Sequence, residues 1–344
     1  MKKMTQYAAM VAVIFGLLTS RVDAQSFDVT GTRAAGMGGA FVGVADDASA
    51  LYWNPAGLAA GSYFSLVLDA SSRRAIPADR QQGSRQSSLF LGLTTPAFGV
   101  TYYRLHQSTA APDSLLVPVG SAGSSRNITG AAGVRLNSLT THHAGVTLVQ
   151  SVVPGVAVGA TLKMVRGFAA SDLTASTTAR SALDGDAVPA DGNTRFDADL
   201  GIMANSSRLK GGLALRNLRE PEFTSKDGTV LRLERQIRAG MSWAATGSWL
   251  VAADVDLLTS RDAFGERRDG ALGVEGKVAR RATVRSGLKV NLASTDDVAV
   301  DGSAKGFSVG GTFAVTPAVL LDGVAVTGGD RAGRGWGISA RFVY

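Results

Sequence analysis

The residues that could do chemistry are few and badly spaced for it. His142 and His143 are two of the chain's three histidines. As neighbours on an extended strand they would point to opposite faces, which leaves no shared metal site. Asp46 and Asp47 supply two carboxylates, but the oxygen-rich spacing of a calcium loop is absent, and capping a short helix is the simpler role. Gly36-Met37-Gly38 has the look of a phosphate-cradling loop, yet no strand precedes it and no acidic residue follows in a βαβ unit. No nucleophile elbow and no Ser/His/Asp spacing stands out. With no cysteine in the chain, thiolate nucleophiles, cysteine-based zinc sites and disulfides are excluded. The expectation is a protein that is not an enzyme, with no metal and no cofactor. What remains is a set of charges inside alternating segments: Arg195, Asp197, Asp199, Arg238, Asp254, Asp256, Glu275, Lys277, Arg285, Lys289 and Arg341. If their faces are enclosed, their ordinary chemistry is to neutralise one another.

The elements that must position these charges are strands. In Arg195–Ile202, Phe196, Ala198, Leu200 and Ile202 alternate with Arg195, Asp197, Asp199 and Gly201. In Gln236–Ala245, Ile237, Ala239, Met241, Trp243 and Ala245 share one parity, and Gln236, Arg238, Gly240 and Ser242 the other. Leu272–Val278, Val284–Asn291 and Trp336–Tyr344 follow the same rule. Successive side chains on a strand face opposite ways, so each segment has one apolar and one polar face. Candidate strands span 62–71, 86–95, 98–106, 128–136, 141–151, 156–167, 194–204, 209–217, 236–246, 249–259, 270–279, 283–291, 306–315, 318–327 and 335–344. Longer polar loops fall at 107–127, 168–193 and 218–235.

A soluble sandwich also alternates. Two features favour a membrane barrel. The polar faces mix charges with glycine and serine, as a wet lumen does. Many segments run about 9–11 residues, the length that crosses a tilted bilayer, against about 5–6 in soluble sheets. Fifteen candidates is an odd number, whereas bacterial single-chain barrels are even. The crowded region 128–151 is the place where two candidates belong together, which predicts about 14 strands. Lipid cannot satisfy an open sheet edge, so the sheet must close. The expected class is all-β: a closed antiparallel transmembrane barrel.

The amino terminus agrees. Lys2 and Lys3 precede the apolar run Ala8–Leu18, and Val22-Asp23-Ala24 offers small residues for cleavage. That order reads as a signal peptide over residues 1–24, cleaved near Ala24. The run is shorter than the ~20 residues of a spanning helix; an uncleaved anchor is the competing reading. The net charge of +7 is spread thinly, without a basic run, which argues against nucleic acid as a partner.

The chain ends Gly335-Trp-Gly-Ile-Ser-Ala-Arg-Phe-Val-Tyr344. Trp336, Ile338, Ala340, Phe342 and Tyr344 share one face. This comb resembles the carboxy-terminal strand by which outer-membrane proteins are recognised for assembly. Trp243, Trp249, Trp336, Tyr63, Tyr102 and Tyr344 lie near strand ends, suited to interfacial girdles.

The most distinctive stretch is Gly31–Leu58, GTRAAGMGGAFVGVADDASALYWNPAGL. Gly36, Gly38 and Gly39 permit close backbone approach. Phe41 is the one large anchor in a small apolar run. Asp46 and Asp47 can cap a helix over Ala48–Tyr52. Asn54-Pro55 ends it, because a residue before proline leaves the helical region. Residues 25–60 thus read as a compact plug, followed by a barrel over 61–344. GMGGAF (Gly36–Phe41), the acidic pair in ADDASA (Ala45–Ala50) and WNPAGL (Trp53–Leu58, with Asn54, Pro55 and Ala56 at its centre) resemble the FadL-type outer-membrane family of hydrophobic-compound transporters and its PorV-like relatives. The resemblance implies a small amino-terminal hatch in the lumen of a fourteen-stranded barrel, in contact with outer-membrane lipids. It implies passive transport of a hydrophobic ligand such as a long-chain fatty acid. PorV-like relatives instead bind secreted or secretion-machinery proteins, and the many inward charges keep that alternative open.

Overall fold

The computed structural model describes residues 30–76, 82–112, 134–174, 178–184, 189–262, 264–293, 305–329 and 333–344. The expected signal peptide and the first part of the candidate strand 128–136 lie outside them. The alternation of the sequence becomes a single closed sheet. Its strands are β1 (Ser65–Ala75), β2 (Gly83–Thr94), β3 (Phe98–Pro112), β4 (Val134–Val153), β5 (Val156–Thr174), β6 (Asn193–Asn205) and β7 (Leu209–Arg216). After a small hairpin, β8 (Glu222–Thr224) and β9 (Val230–Arg232), come β10 (Gln236–Ala244) and β11 (Trp249–Asp256). A second small hairpin, β12 (Ser260–Asp262) and β13 (Gly265–Arg267), precedes β14 (Asp269–Ala279), β15 (Ala282–Asn291), β16 (Gly306–Ala314), β17 (Val319–Gly328) and β18 (Arg334–Val343). Leaving out the two hairpins, fourteen strands pair antiparallel in chain order, and β18 closes on β1. The crowded candidates 128–136 and 141–151 are one strand, β4, which is 20 residues long.

Burial follows the pleat. Along β5, Thr161, Lys163 and Val165 are buried, while Val158, Leu162 and Met164 are exposed on the outer face. The outer face carries Leu89, Leu91, Leu93, Phe196, Met241, Trp243, Phe307 and Phe313, all exposed. In water such a continuous apolar belt would be unstable; facing lipid it is what a transmembrane barrel requires. On β18 the comb Trp336, Ile338, Phe342 and Tyr344 is exposed, Ala340 half-buried, and Ser339 and Arg341 turn inward. Trp249, Tyr102 and Tyr63 also face outward.

The two ends differ. Six connections are short, at 95–97, 154–155, 206–208, 245–248, 280–281 and 315–318. Two of them have only two residues, and in one, Pro154-Gly155, Gly155 has φ 83°, a left-handed value that suits glycine after proline in a turn. The intervals at the opposite end are longer, so the short-turn end is periplasmic and the other extracellular. Strands β4 and β5, at 20 and 19 residues, exceed the ~10 that cross a bilayer and carry about 30 Å of extra strand outward. Against the inner face of this extension the helix Ala179–Asp184 packs on Ala110, Val134 and Leu136. The β8–β9 hairpin sets Phe223 and Leu233 against Leu139, Val165 and Ala169.

Candidate functional site

The lumen is occupied by the chain's own residues 30–60. They fold as a helix over Thr32–Gly36, a second over Ala50–Trp53, and a 3₁₀ turn over Pro55–Ala60. Met37, Phe41, Leu51, Tyr52, Trp53 and Leu58 are all within 2% of full burial. Burying six such side chains contributes on the order of 10 kcal/mol gross, an upper bound because unfolded chains are partly compact. Phe41 meets Trp53 edge-on at 5.9 Å, so the expected anchor is part of an aromatic cluster.

Backbone polarity is answered by the barrel wall. Asp254 accepts hydrogen bonds from the amides of Phe41 and Val42, both at 2.8 Å. Asp69 accepts from the amides of Thr32, at 2.6 Å, and Gly31, at 3.3 Å. Ser308 accepts from Gly38 N and donates to Gly36 O; Ser242 donates to Gly43 O at 2.7 Å. Arg238, fully buried, donates to Asp256 at 2.6 Å and to Gly39 O at 3.2 Å. A buried unpaired amide or carbonyl costs roughly 1–3 kcal/mol, so these wall residues are what allows an irregular segment to sit inside. Gly38 holds φ 68° because its backbone lies flat on Gly287 and Leu288 of β15, where a Cβ would reach 2.8 Å from Leu288 N.

Asn54 does more than end a helix. Its amide donates to Val42 O and to Ile202 O on β6, and its carbonyl accepts from Ala56 N, each at 3.1 Å. Pro55 then starts the 3₁₀ turn, with Asn54 extended at φ −160°. Ala56 is fully buried.

The acidic pair departs from its expected role. The second helix begins later than expected, at Ala50, and no side chain caps it. Asp47 instead accepts from Ser49 N and Oγ and joins a closed ring of ions. Arg33 grips Glu275 with two bonds of 2.9 Å and contacts Asp47 at 3.0 Å and Asp46 at 2.5 Å. Asp47 contacts Arg341 at 3.2 Å, Arg341 contacts Asp322 at 2.6 Å, Asp322 contacts Arg285 at 3.1 Å, and Arg285 returns to Glu275 at 2.5 Å. Three guanidinia and three carboxylates alternate, and two members, Arg33 and Asp47, belong to the luminal segment. Burial pushes the Asp47 carboxyl up, but Arg33, Arg341 and Ser49 outweigh it and bring it down to about 2. Asp46, half-buried, sits beside Lys210 at 3.8 Å.

Most of the other predicted charges also find partners inside. Asp197 and Asp199 meet Lys163 at 3.1 and 2.6 Å, and Lys289 meets Asp269 at 3.6 Å. Two do not belong to the packed lumen. Arg195 and Lys277 share the inward parity but are exposed, because each stands near a strand end beyond the residues that fill the barrel. The histidines separate as expected. His143 is buried and stacks on Tyr103 at 4.2 Å, while His142 faces outward and bonds Tyr102 at 2.8 Å. Sequence reasoning missed Arg33, Asp69, Lys163, Asp322 and Ser308. Parity alone would have put Asp69, Lys163, Asp322 and Ser308 inward.

Open space lies above and below the luminal segment. An extracellular cavity of about 640 Å³ is bordered by Arg74, Arg180, Asp184, Arg334 and Trp336. It shares Ser72, Gly335 and Trp336 with a narrow pocket of about 40 Å³ that reaches Ala35, Trp53, Val324 and Val326. A periplasmic cavity of about 940 Å³ touches Arg33, Glu275, Arg285 and Arg341.

A closed fourteen-stranded barrel with an apolar outer belt and a pinned internal segment is an outer-membrane β-barrel of the FadL-type fold. The sequence matches, over residues 52–256, the family described as "F plasmid transfer operon, TraF, protein", and the chain belongs to that family. Among solved structures it is similar to the CymD monoaromatic hydrocarbon channel, with TM-score 0.65 and 12% identity over 93% of this chain and 99% of that one. It is similar as well to the P. putida toluene transporter TodX, with TM-score 0.58 and 13% identity over 93% and 99%. A Pseudomonas aeruginosa FadL homologue gives TM-score 0.57 and 13% identity over 94% and 100%. At these identities the likeness is one of fold. No curated protein matches the chain in sequence.

Proposed function

We propose that the protein is a passive, non-enzymatic outer-membrane channel for hydrophobic compounds such as long-chain fatty acids, with residues 25–60 as a hatch inside the barrel over 61–344. The reading includes export through a leader cleaved near Ala24. The observation that carries it is the internal segment itself. It divides an extracellular cavity, whose narrow floor is made by Trp53, Val324 and Val326, from a periplasmic one. A hydrophobic molecule caught on the outer side would meet that floor, and displacement of the segment would open the way down. Barrels with this fold include proteins described as hydrocarbon channels and toluene transporters. The test is uptake of labelled long-chain fatty acid and of toluene by cells with and without the gene. Faster uptake of at least one ligand in the gene-bearing cells is expected; equal uptake across the panel would sink the reading.

A second reading is favoured by one observation: the family takes its description from a plasmid transfer operon. On that reading the barrel is a scaffold for a secreted or secretion-machinery protein, and the ion ring keeps the lumen shut. Pull-down from detergent extracts would recover such a partner; repeated recovery of the barrel alone would count against it.

A further inference from the structure

The periplasmic end of the barrel carries charge of one sign. Its six short turns contain Arg208, Arg280 and Arg281 and no carboxylate. Arg280 and Arg281 line the 940 Å³ cavity together with Lys277 and with Thr316 and Pro317 of the neighbouring turn. Deeper in, the cavity touches Arg33, Arg285 and Arg341, and Glu275 is the single carboxylate on its lining. The three inner guanidinia are matched by the ring carboxylates. Lys277, Arg280 and Arg281 are exposed and make no ion pair among the described residues. Three uncompensated cations around one concavity focus a positive potential into it. Its volume lies at the upper end of ligand-sized cavities, about 300–1,000 Å³.

We propose that this periplasmic mouth is a docking site for an acidic, extended polypeptide segment of a periplasmic partner, held by Lys277, Arg280 and Arg281. The chemistry selects a peptide over the other polyanions. The lining has no aromatic residue, whereas grooves that bind single-stranded nucleic acid pair their cations with aromatic stacking platforms. The cavity opens inside the wall, against the inward residues Arg33, Thr312 and Arg341, so lipid headgroups ranged around the outside of the barrel do not face it. The mouth lies on the periplasmic side of the luminal segment, and peptide binding there is read apart from transport.

The test uses the full chain in detergent and a fluorescein-labelled hexaglutamate peptide, read by anisotropy at low salt. Saturable binding is expected, weakening as salt screens the cations, with no binding of hexalysine. Lys277→Ala/Arg280→Ala/Arg281→Ala should weaken binding at least tenfold, Arg280→Lys/Arg281→Lys should stay within about threefold, and Arg208→Ala on a different turn should change little. If the triple variant fails to assemble, the single exposed Arg281→Glu carries the same test, with at least a fivefold loss expected. Unchanged binding by these variants would overturn the proposal. So would displacement of the peptide by low-millimolar phosphate, or tighter binding of a single-stranded oligonucleotide at the same residues.

Discussion

Asn54→Ala is the sharpest perturbation of the luminal segment. The side chain is fully buried and makes three hydrogen bonds of 3.1 Å, two within the segment and one to β6. Its loss strands the amide of Ala56 and the carbonyl of Val42 in a site closed to water. Two buried orphans cost together about 3 kcal/mol, and at 1.4 kcal/mol per decade that is about a hundredfold in the ratio of released to seated segment. Hydrogen exchange read by mass spectrometry on the assembled barrel is the assay. Amides of residues 33–60 should exchange about a hundredfold faster, while the ladders of β14–β18 keep their protection. Asn54→Asp should do no better: a carboxylate still accepts from Ala56 but turns negative charge on Val42 O and Ile202 O. Unchanged exchange in either variant, or exchange that rises equally in segment and barrel, would refute the claim that this amide fastens the segment to the wall.

Other perturbations bear on the same seat. Glu275→Gln removes one ring carboxylate and leaves Arg33 and Arg285 adjacent and under-compensated; breaking a buried pair from one side should cost about 3–5 kcal/mol, seen as faster exchange of the segment. Asp47 has its pKa lowered from 3.8 to about 2. Its stabilisation, about 2 kcal/mol at 1.36 kcal/mol per unit, is therefore complete above the unfolded value and lost as pH falls from about 4 through 2. Proteolysis of the segment by pepsin across that window should rise steeply, and Asp47→Asn should flatten the profile. Gly38→Ala sets a Cβ against the β15 backbone at a left-handed φ of 68°, so the Ser308 bonds should be lost and the segment should become protease-sensitive. Pro55→Ala frees a fixed dihedral and should loosen the segment with little loss of assembled barrel, measured as heat-modifiable migration.

The barrel was legible because its rule is local. Period-two alternation needs only neighbours, and it locates most strand ends to within about four residues; β3 and β5 instead run on to Pro112 and Thr174, into the stretches expected as loops 107–127 and 168–193. The doubling at 128–151 was resolved by requiring an even number, and β4 runs through both candidates. What periodicity cannot supply is pairing across the lumen. Arg33 and Glu275 lie 242 positions apart, and Asp47 and Arg341 294 apart. Parity says that such residues face inward but not which carboxylate meets which guanidinium. Lys277 and Arg195 show its other limit, since strand parity continues past the packed interior. Local rules make the acidic pair helix caps because they know only local partners, whereas Arg33 and Arg341 claim Asp47 from elsewhere in the fold. The break before proline is visible in the sequence, and the helix does end at Trp53, but the reach of Asn54's amide to β6 depends on Gly201, whose missing side chain leaves room for it.

The most direct test of the account asks whether passage requires the segment to move. The chain has no cysteine, so Ala48→Cys/Ser65→Cys creates a single possible disulfide where Ala48 N already bonds Ser65 Oγ at 3.2 Å. In vesicles holding this variant, uptake of labelled fatty acid or toluene should be low when oxidised, and it should rise to the wild-type rate on reduction. Equal uptake in the oxidised and reduced states, or wild-type uptake no faster than in empty vesicles, would contradict a channel gated by its own amino-terminal segment.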